Sequence, residues 1–145
     1  MSTKELQERL VANMKSWQKI ENASAASTGK VMEKTDHPII RLVMEIIQRD
    51  SMLHHRVQEM VVETLERKAV SLTPDQLAEI WGLIEEHIEL EKKTIEHATE
   101  ALDALKGKKM VVQEYLIHYL LQDETKHNTL LDSLAMIKKG MYPYG

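Results

Sequence analysis

Cysteine is absent from this 145-residue chain, which excludes disulfides, zinc knuckles, thiolate-bound iron, c-type haem attachment and cysteine nucleophiles. Only oxygen and nitrogen donors remain for any metal. Glycine and proline are scarce, at five and three, and nearly all sit where the hydrophobic period breaks, as punctuation does in a helical protein. Excess positive charge is missing too. With 19 Lys and Arg against 23 Asp and Glu, and no basic run, the chain lacks the concentrated cationic surface that nucleic-acid phosphates require. No apolar run approaches the roughly 18 residues of a membrane span, and Met1-Ser2-Thr3-Lys4-Glu5 is charged where a secretory leader would be apolar. The expectation is a soluble, cytoplasmic protein with neither nucleic acid nor membrane as partner.

What is present is enough apolar content, 43%, for one core. One domain over residues 1–139, with a short tail at 140–145, is therefore expected. Ser2 with Glu5 three residues on is a capping box that starts a first helix running to about Lys30. Asp36-His37-Pro38 starts a second, continuing to about Lys68, with His37 at its cap and Pro38 at its first position. Thr73-Pro74-Asp75-Gln76 opens a third that ends near Leu105, before Lys106-Gly107-Lys108. A fourth covers about Met110 to Lys139 and is stopped by Gly140. Helices of this length are unstable alone and must bury a face against one another. The predicted fold is all-α, an antiparallel four-helix bundle with a short connection between the second and third helices.

The apolar stripes run through Leu10, Met14, Trp17 and Val31, continuing between them through the small Ser24 and Thr28; Val43, Ile47, Val57 and Val61; Ile84, Ile88, Ile95, Ala98 and Leu102; and Leu116, Leu120, Leu130 and Leu134. Each is interrupted on the stripe itself by ionisable residues: Glu21, then Asp50 with His54, then Glu91, then Asp123 with His127. The second and fourth helices carry the same Asp-x-x-x-His, one face of a helix. Shifting the chain by 73 residues superposes the two stripes, a faint internal repeat of one helical hairpin. Residues level with each other in a hairpin are equidistant from its turn. On that basis Glu21 stands level with Asp50, and Glu91 with Glu124.

Several carboxylates and two imidazoles then converge, with no Lys or Arg on the stripes near them. Unpaired buried charges of one sign are costly, and one or two divalent cations would supply what is missing. An isolated buried Asp–His pair is more often a hydrogen-bonded structural pair, and neutral carboxyls can share protons. The coincidence of ionisable stripe residues across all four helices favours metal. The predicted ligands are Glu21, Asp50, His54, Glu91, Glu124 and His127, with Asp123 supporting His127. His55, His87, His97 and His118 fall off the stripes and read as surface residues, and Met44, Met52 and Met60 as gap-filling core.

The stretch Asp123-Glu124-Thr125-Lys126-His127, followed by Leu130-Leu131, resembles the fourth-helix motif of the ferritin-like di-iron carboxylate family, rubrerythrin-type members without a rubredoxin domain especially. The resemblance implies Glu124 as bridging ligand, His127 as terminal ligand, Glu91 as the third-helix glutamate, Glu21 as the first-helix one and His54 as the second-helix histidine. Ser51 stands where the family's Glu-x-x-His would place glutamate, so Asp50 would substitute from one position earlier. Iron, as two ions, is the implied cofactor, with manganese or zinc as the other metals such donors accept. The implied roles are oxygen- or peroxide-linked oxidation, fed by an external electron donor, or iron handling; a homodimer is the implied assembly. Two rivals stand beside it. His55-x-x-x-Glu59 and His118-x-x-x-x-Asp123 are similar to two hemerythrin motifs, although the third helix offers only His87 and His97, ten apart. The other is a metal-free interaction bundle that has lost its site.

Overall fold

The computed structural model describes residues 1–140, and the expected tail segment 141–145 lies outside the described residues. The chain is all-helical, 85% helix, with five helices and no strand among the described residues. No helix there is long and apolar enough to cross a membrane. The chain divides into two compact units, Met1–Val70 and Ser71–Gly145.

The first unit is a helical hairpin of α1 (Thr3–Lys34) and α2 (Pro38–Glu66). Ser2 caps α1 as its sequence predicts: its Oγ accepts from Glu5 N at 3.2 Å and its N–H donates to Glu5 Oε2 at 2.6 Å. Those bonds hold the Glu5 carboxyl below its ordinary range. The helix does not stop near Lys30 but runs to Lys34. One interior glycine, Gly29, costs a helix only about 1 kcal/mol, and packing over a long helix overrides it. Arg41 then closes the turn by donating from Nη1 to the carbonyls of Met32 and Thr35, which end α1 unpaired otherwise. His37 Nδ1 accepts from Ile39 N at 3.2 Å, with Pro38 at the first helical position.

The seam between α1 and α2 is mostly polar. Val11 and Val62 are buried, but so are Gln18, Glu21, Thr28, Ser51 and Gln58. Small residues allow the close approach: Ser24 and Ser51 share a hydrogen bond at 2.8 Å, and Gln48 Nε2 donates to the Ala25 carbonyl at 3.0 Å. This corrects the sequence expectation for the core. Leu10, Trp17, Val31, Ile47 and Val57, five of the stripe residues, are between 38% and 56% exposed. A helix pair buries only a narrow strip, and here it takes the polar and small positions of the first stripe, Glu21, Ser24 and Thr28, and leaves the larger apolar ones part-exposed.

The second unit contains α3 (Pro74–Ala78), α4 (Trp81–Leu105) and α5 (Val111–Lys138). Thr73 and Gln76 form the expected capping box, but the predicted third helix breaks at Glu79 and Ile80. The chain there makes i to i+3 bonds, Ile80 N to Leu77 O and Leu83 N to Ile80 O, and α4 restarts with no side-chain cap. What the break gains is Leu77, left only 3% exposed where α3 packs against α4 and α5. Truncation at a site this closed removes transfer energy and leaves a cavity, so Leu77→Ala is expected to destabilise the protein by about 2–3 kcal/mol in urea unfolding. Gly107 ends α4 with φ of 72°, a conformation that suits glycine. Lys138 Nζ lies 5.2 Å from the Trp81 ring centre, joining the last turn of α5 to the first of α4. Leu120 and Leu130 of the predicted stripe are 50% and 61% exposed.

Candidate metal centre

In the second unit α4 and α5 bring Glu91, Glu124 and His127 together, with one ligand atom from each within 4.8 Å of the others. Glu91 is buried at 7% exposure. The other two are half-buried. His127 Nδ1 lies 3.4 Å from Glu91 Oε2 and 3.4 Å from Glu124 Oε2. Its other ring nitrogen, Nε2, lies 3.4 Å from Asp123 Oδ2. With its proton on Nε2, on the side of Asp123, the ring would present the Nδ1 lone pair to two carboxylate oxygens. Three acceptors then face one another, and Glu91 Oε2 is a buried oxygen with no donor.

Two residues that sequence reasoning left out hold the carboxylates in place. His87 Nε2 is 2.9 Å from Glu91 Oε1, and the residue is exposed as its surface or flanking reading expects. Thr94 Oγ1 donates to Glu124 Oε2 at 3.1 Å. The signal for His87 was its i,i+4 spacing to Glu91; for Thr94 there was only its place one turn after Glu91. Lys126 Nζ reaches Asp123 Oδ1 at 2.8 Å from off the stripe, so Asp123 is balanced while Glu91 and Glu124 are not.

The two glutamates shift in opposite directions. Glu124 is raised above its ordinary value, first by its hydrogen bonding with Glu91 and then by burial. Glu91 is lowered, first by its hydrogen bonding with Glu124, with His127 and His87 adding attraction. A carboxyl with a raised value holds its proton more tightly folded than unfolded, so its contribution is full below the unfolded value and fades as pH climbs through the raised one. Glu91 works in the opposite sense, its contribution fading as pH falls through its lowered value. The metal-free protein is therefore expected to lose thermal stability as pH rises past the ordinary carboxylate range. Glu124→Gln should flatten that part of the profile, read by circular dichroism melts in chelator; an unchanged slope would place its origin elsewhere.

The first unit gathers fewer of the predicted ligands. His54 Nδ1 lies 3.3 Å from Glu21 Oε1, and Gln58 Nε2 donates to the same oxygen at 3.5 Å. Glu21 is buried and His54 exposed. Asp50 is half-buried and joins no group of three ligand residues within the described chain. It was expected level with Glu21. The longer α1 moves the turn toward the C-terminus, so that His54 faces Glu21 and Ser51 faces Ser24. Asp50 falls about one helical turn away, or ~6 Å along the axis.

The hemerythrin-like residues have other partners: Glu59 accepts from Gln18 at 2.9 Å and His118 lies 3.7 Å from Glu114. No family model, no curated protein and no solved structure matches this chain.

Proposed function

We propose that this chain is a non-haem metal-binding protein whose centre is built on Glu91, Glu124 and His127, and that a ferritin-like four-helix bundle encloses it. The observation that carries the reading is the convergence of His127 Nδ1, Glu91 Oε2 and Glu124 Oε2 with no donor for Glu91 Oε2. Donor atoms bound to one ion at ~2.1 Å stand about 3.0–3.4 Å apart, so the two 3.4 Å separations from His127 Nδ1 suit a divalent cation. Two carboxylates and one imidazole favour iron or manganese over soft metals, with zinc accepted by the same donors.

Iron or manganese held there would supply one-electron redox chemistry toward oxygen or peroxide. The chain's own residues do the rest. His87 fixes Glu91 and the Thr94 hydroxyl fixes Glu124, the kind of support that tunes a metal's affinity, and the Asp123 carboxylate stands 3.4 Å behind the His127 ring. Glu124 has the raised value of the two carboxyls and would bind a cation in its deprotonated form, so metal affinity should rise with pH. Since the sequence has no cysteine to hold an electron-transfer centre, an oxidase or peroxidase of this design draws electrons from a separate donor. Iron handling needs no such donor.

Elemental analysis of protein purified without chelator, followed by anaerobic Fe(II) titration, tests the reading. Iron or manganese in stoichiometric amount supports it. Peroxide added with an electron donor then separates the two roles, turnover indicating an enzyme and stoichiometric uptake a store. A chain that takes up neither metal overturns the proposal.

A further inference from the structure

The second unit holds half of a ligand set. A di-metal carboxylate bundle takes one glutamate from each of two helices and a Glu-x-x-His from each of the other two. The α4–α5 hairpin supplies one of each: Glu91, and Glu124 with His127. The first unit is built on the same plan but is defective. Offsets of 70 residues between α1 and α4 and 73 between α2 and α5 match Glu21 to Glu91, Ser24 to Thr94, Ser51 to Glu124 and His54 to His127. The contacts match as well. Glu21 meets His54 as Glu91 meets His127, and Ser24 bonds Ser51 just as Thr94 bonds Glu124. At the one position where a bridging carboxylate is needed, the first unit has a buried hydroxyl already engaged with Ser24.

We infer that the missing half is supplied by the α4–α5 hairpin of a second copy of this chain, giving a symmetric centre with Glu91, Glu124 and His127 from each protomer. This rests on the metal-binding reading above. Beside Glu124 the hairpin carries an apolar groove lined by Ala98, Ala101, Ile117 and Leu120. On the same stripe of α5, Leu120 and Leu130 stand 50% and 61% exposed before and after His127. A twofold axis through this face puts like against like, apolar groove on apolar stripe, and sets two half-occupied ligand sets together. The four carboxylates would repel without cations, so assembly and metal binding are coupled, each strengthening the other by the same factor. Two ions in the paired site make one per chain.

Sedimentation velocity of the full chain with and without Mn(II), alongside Mn(II) titration followed by electron paramagnetic resonance, tests this. The expected result is a metal-free monomer that Mn(II) converts to a dimer, tightening self-association by about 100-fold, with one ion per chain. Glu21→Gln with His54→Ala should leave both readouts unchanged, and Glu124→Gln should abolish both. Mn(II) bound tightly by a monomer, with a large loss of affinity in the Glu21→Gln, His54→Ala variant, would overturn the inference and leave the metal-binding reading standing. A dimer whose association ignores Mn(II) would do the same. Absence of Mn(II) and Fe(II) binding in the parent chain would remove both.

Discussion

Glu124→Ala is expected to weaken Mn(II) or Fe(II) binding by more than about 100-fold while leaving the metal-free protein as stable as the parent, or more so. The opposite signs follow from the geometry. In metal-free protein Glu124 crowds Glu91, and that neighbour together with burial raises Glu124 above its ordinary value, the mark of an unfavourable pairing of two carboxylates. Removing one member ends the conflict. With a cation present the same carboxylate is one of three donors, and its loss leaves two. His127→Ala should show the same loss of affinity. Its metal-free stability should change little, since the ring is partly exposed and its 3.4 Å approaches are long for hydrogen bonds. Asp123→Ala, which leaves the donors intact and frees the ring, should cost about 10- to 100-fold. Isothermal titration and thermal melts on the same samples check all three. Unchanged affinity together with a metal-free protein destabilised by about 2 kcal/mol would identify the triad as a structural hydrogen-bond cluster instead.

Helix ends were readable wherever a side chain does the capping. Ser2 with Glu5, Pro38 behind His37, Thr73 with Gln76, and Gly107 all act locally, and each starts or ends a helix where its chemistry says. The break at Glu79 and Ile80 carries no such mark. It arises from the burial of Leu77, a tertiary gain that local propensity does not encode. The seam of the first hairpin was hidden for a related reason. Periodicity finds the most apolar wedge of a helix, whereas α1 and α2 meet along its polar positions Glu21 and Thr28 and the neighbouring Gln18, Ser51 and Gln58. Glu21 and Glu91 were found because they interrupt an apolar stripe and also border the seam. Asp50 interrupts a stripe too, yet its partner depends on helix register, and an α1 four residues longer than expected moved that register. His87 and Thr94 act through contacts to other side chains, so no stripe reveals them.

The second large effect concerns Ser51, where the quasi-equivalence of the two hairpins can be tested by restoring what one of them lacks. Ser51→Glu places a carboxyl opposite Ser24, in a site only 5% exposed and close along the helix to the residue that faces Glu21. In the absence of metal the variant should be destabilised by about 2–4 kcal/mol, since a large acidic side chain enters a seam packed around two hydroxyls beside an existing buried carboxylate. Saturating Mn(II) should recover most of that loss, because the first hairpin would then present Glu21, the new carboxyl and His54 as the second presents Glu91, Glu124 and His127. Binding at 100 times the dissociation constant contributes about 2.7 kcal/mol, enough to offset the lower part of the cost, and metal content per chain should rise. Ser51→Gln is the control: nearly the same volume, no charge, a smaller loss in the metal-free state and no recovery with Mn(II). Equal recovery in both variants would show that the metal acts elsewhere. Recovery in neither would mean that the first hairpin shares the second's sequence spacing without sharing its capacity to hold an ion.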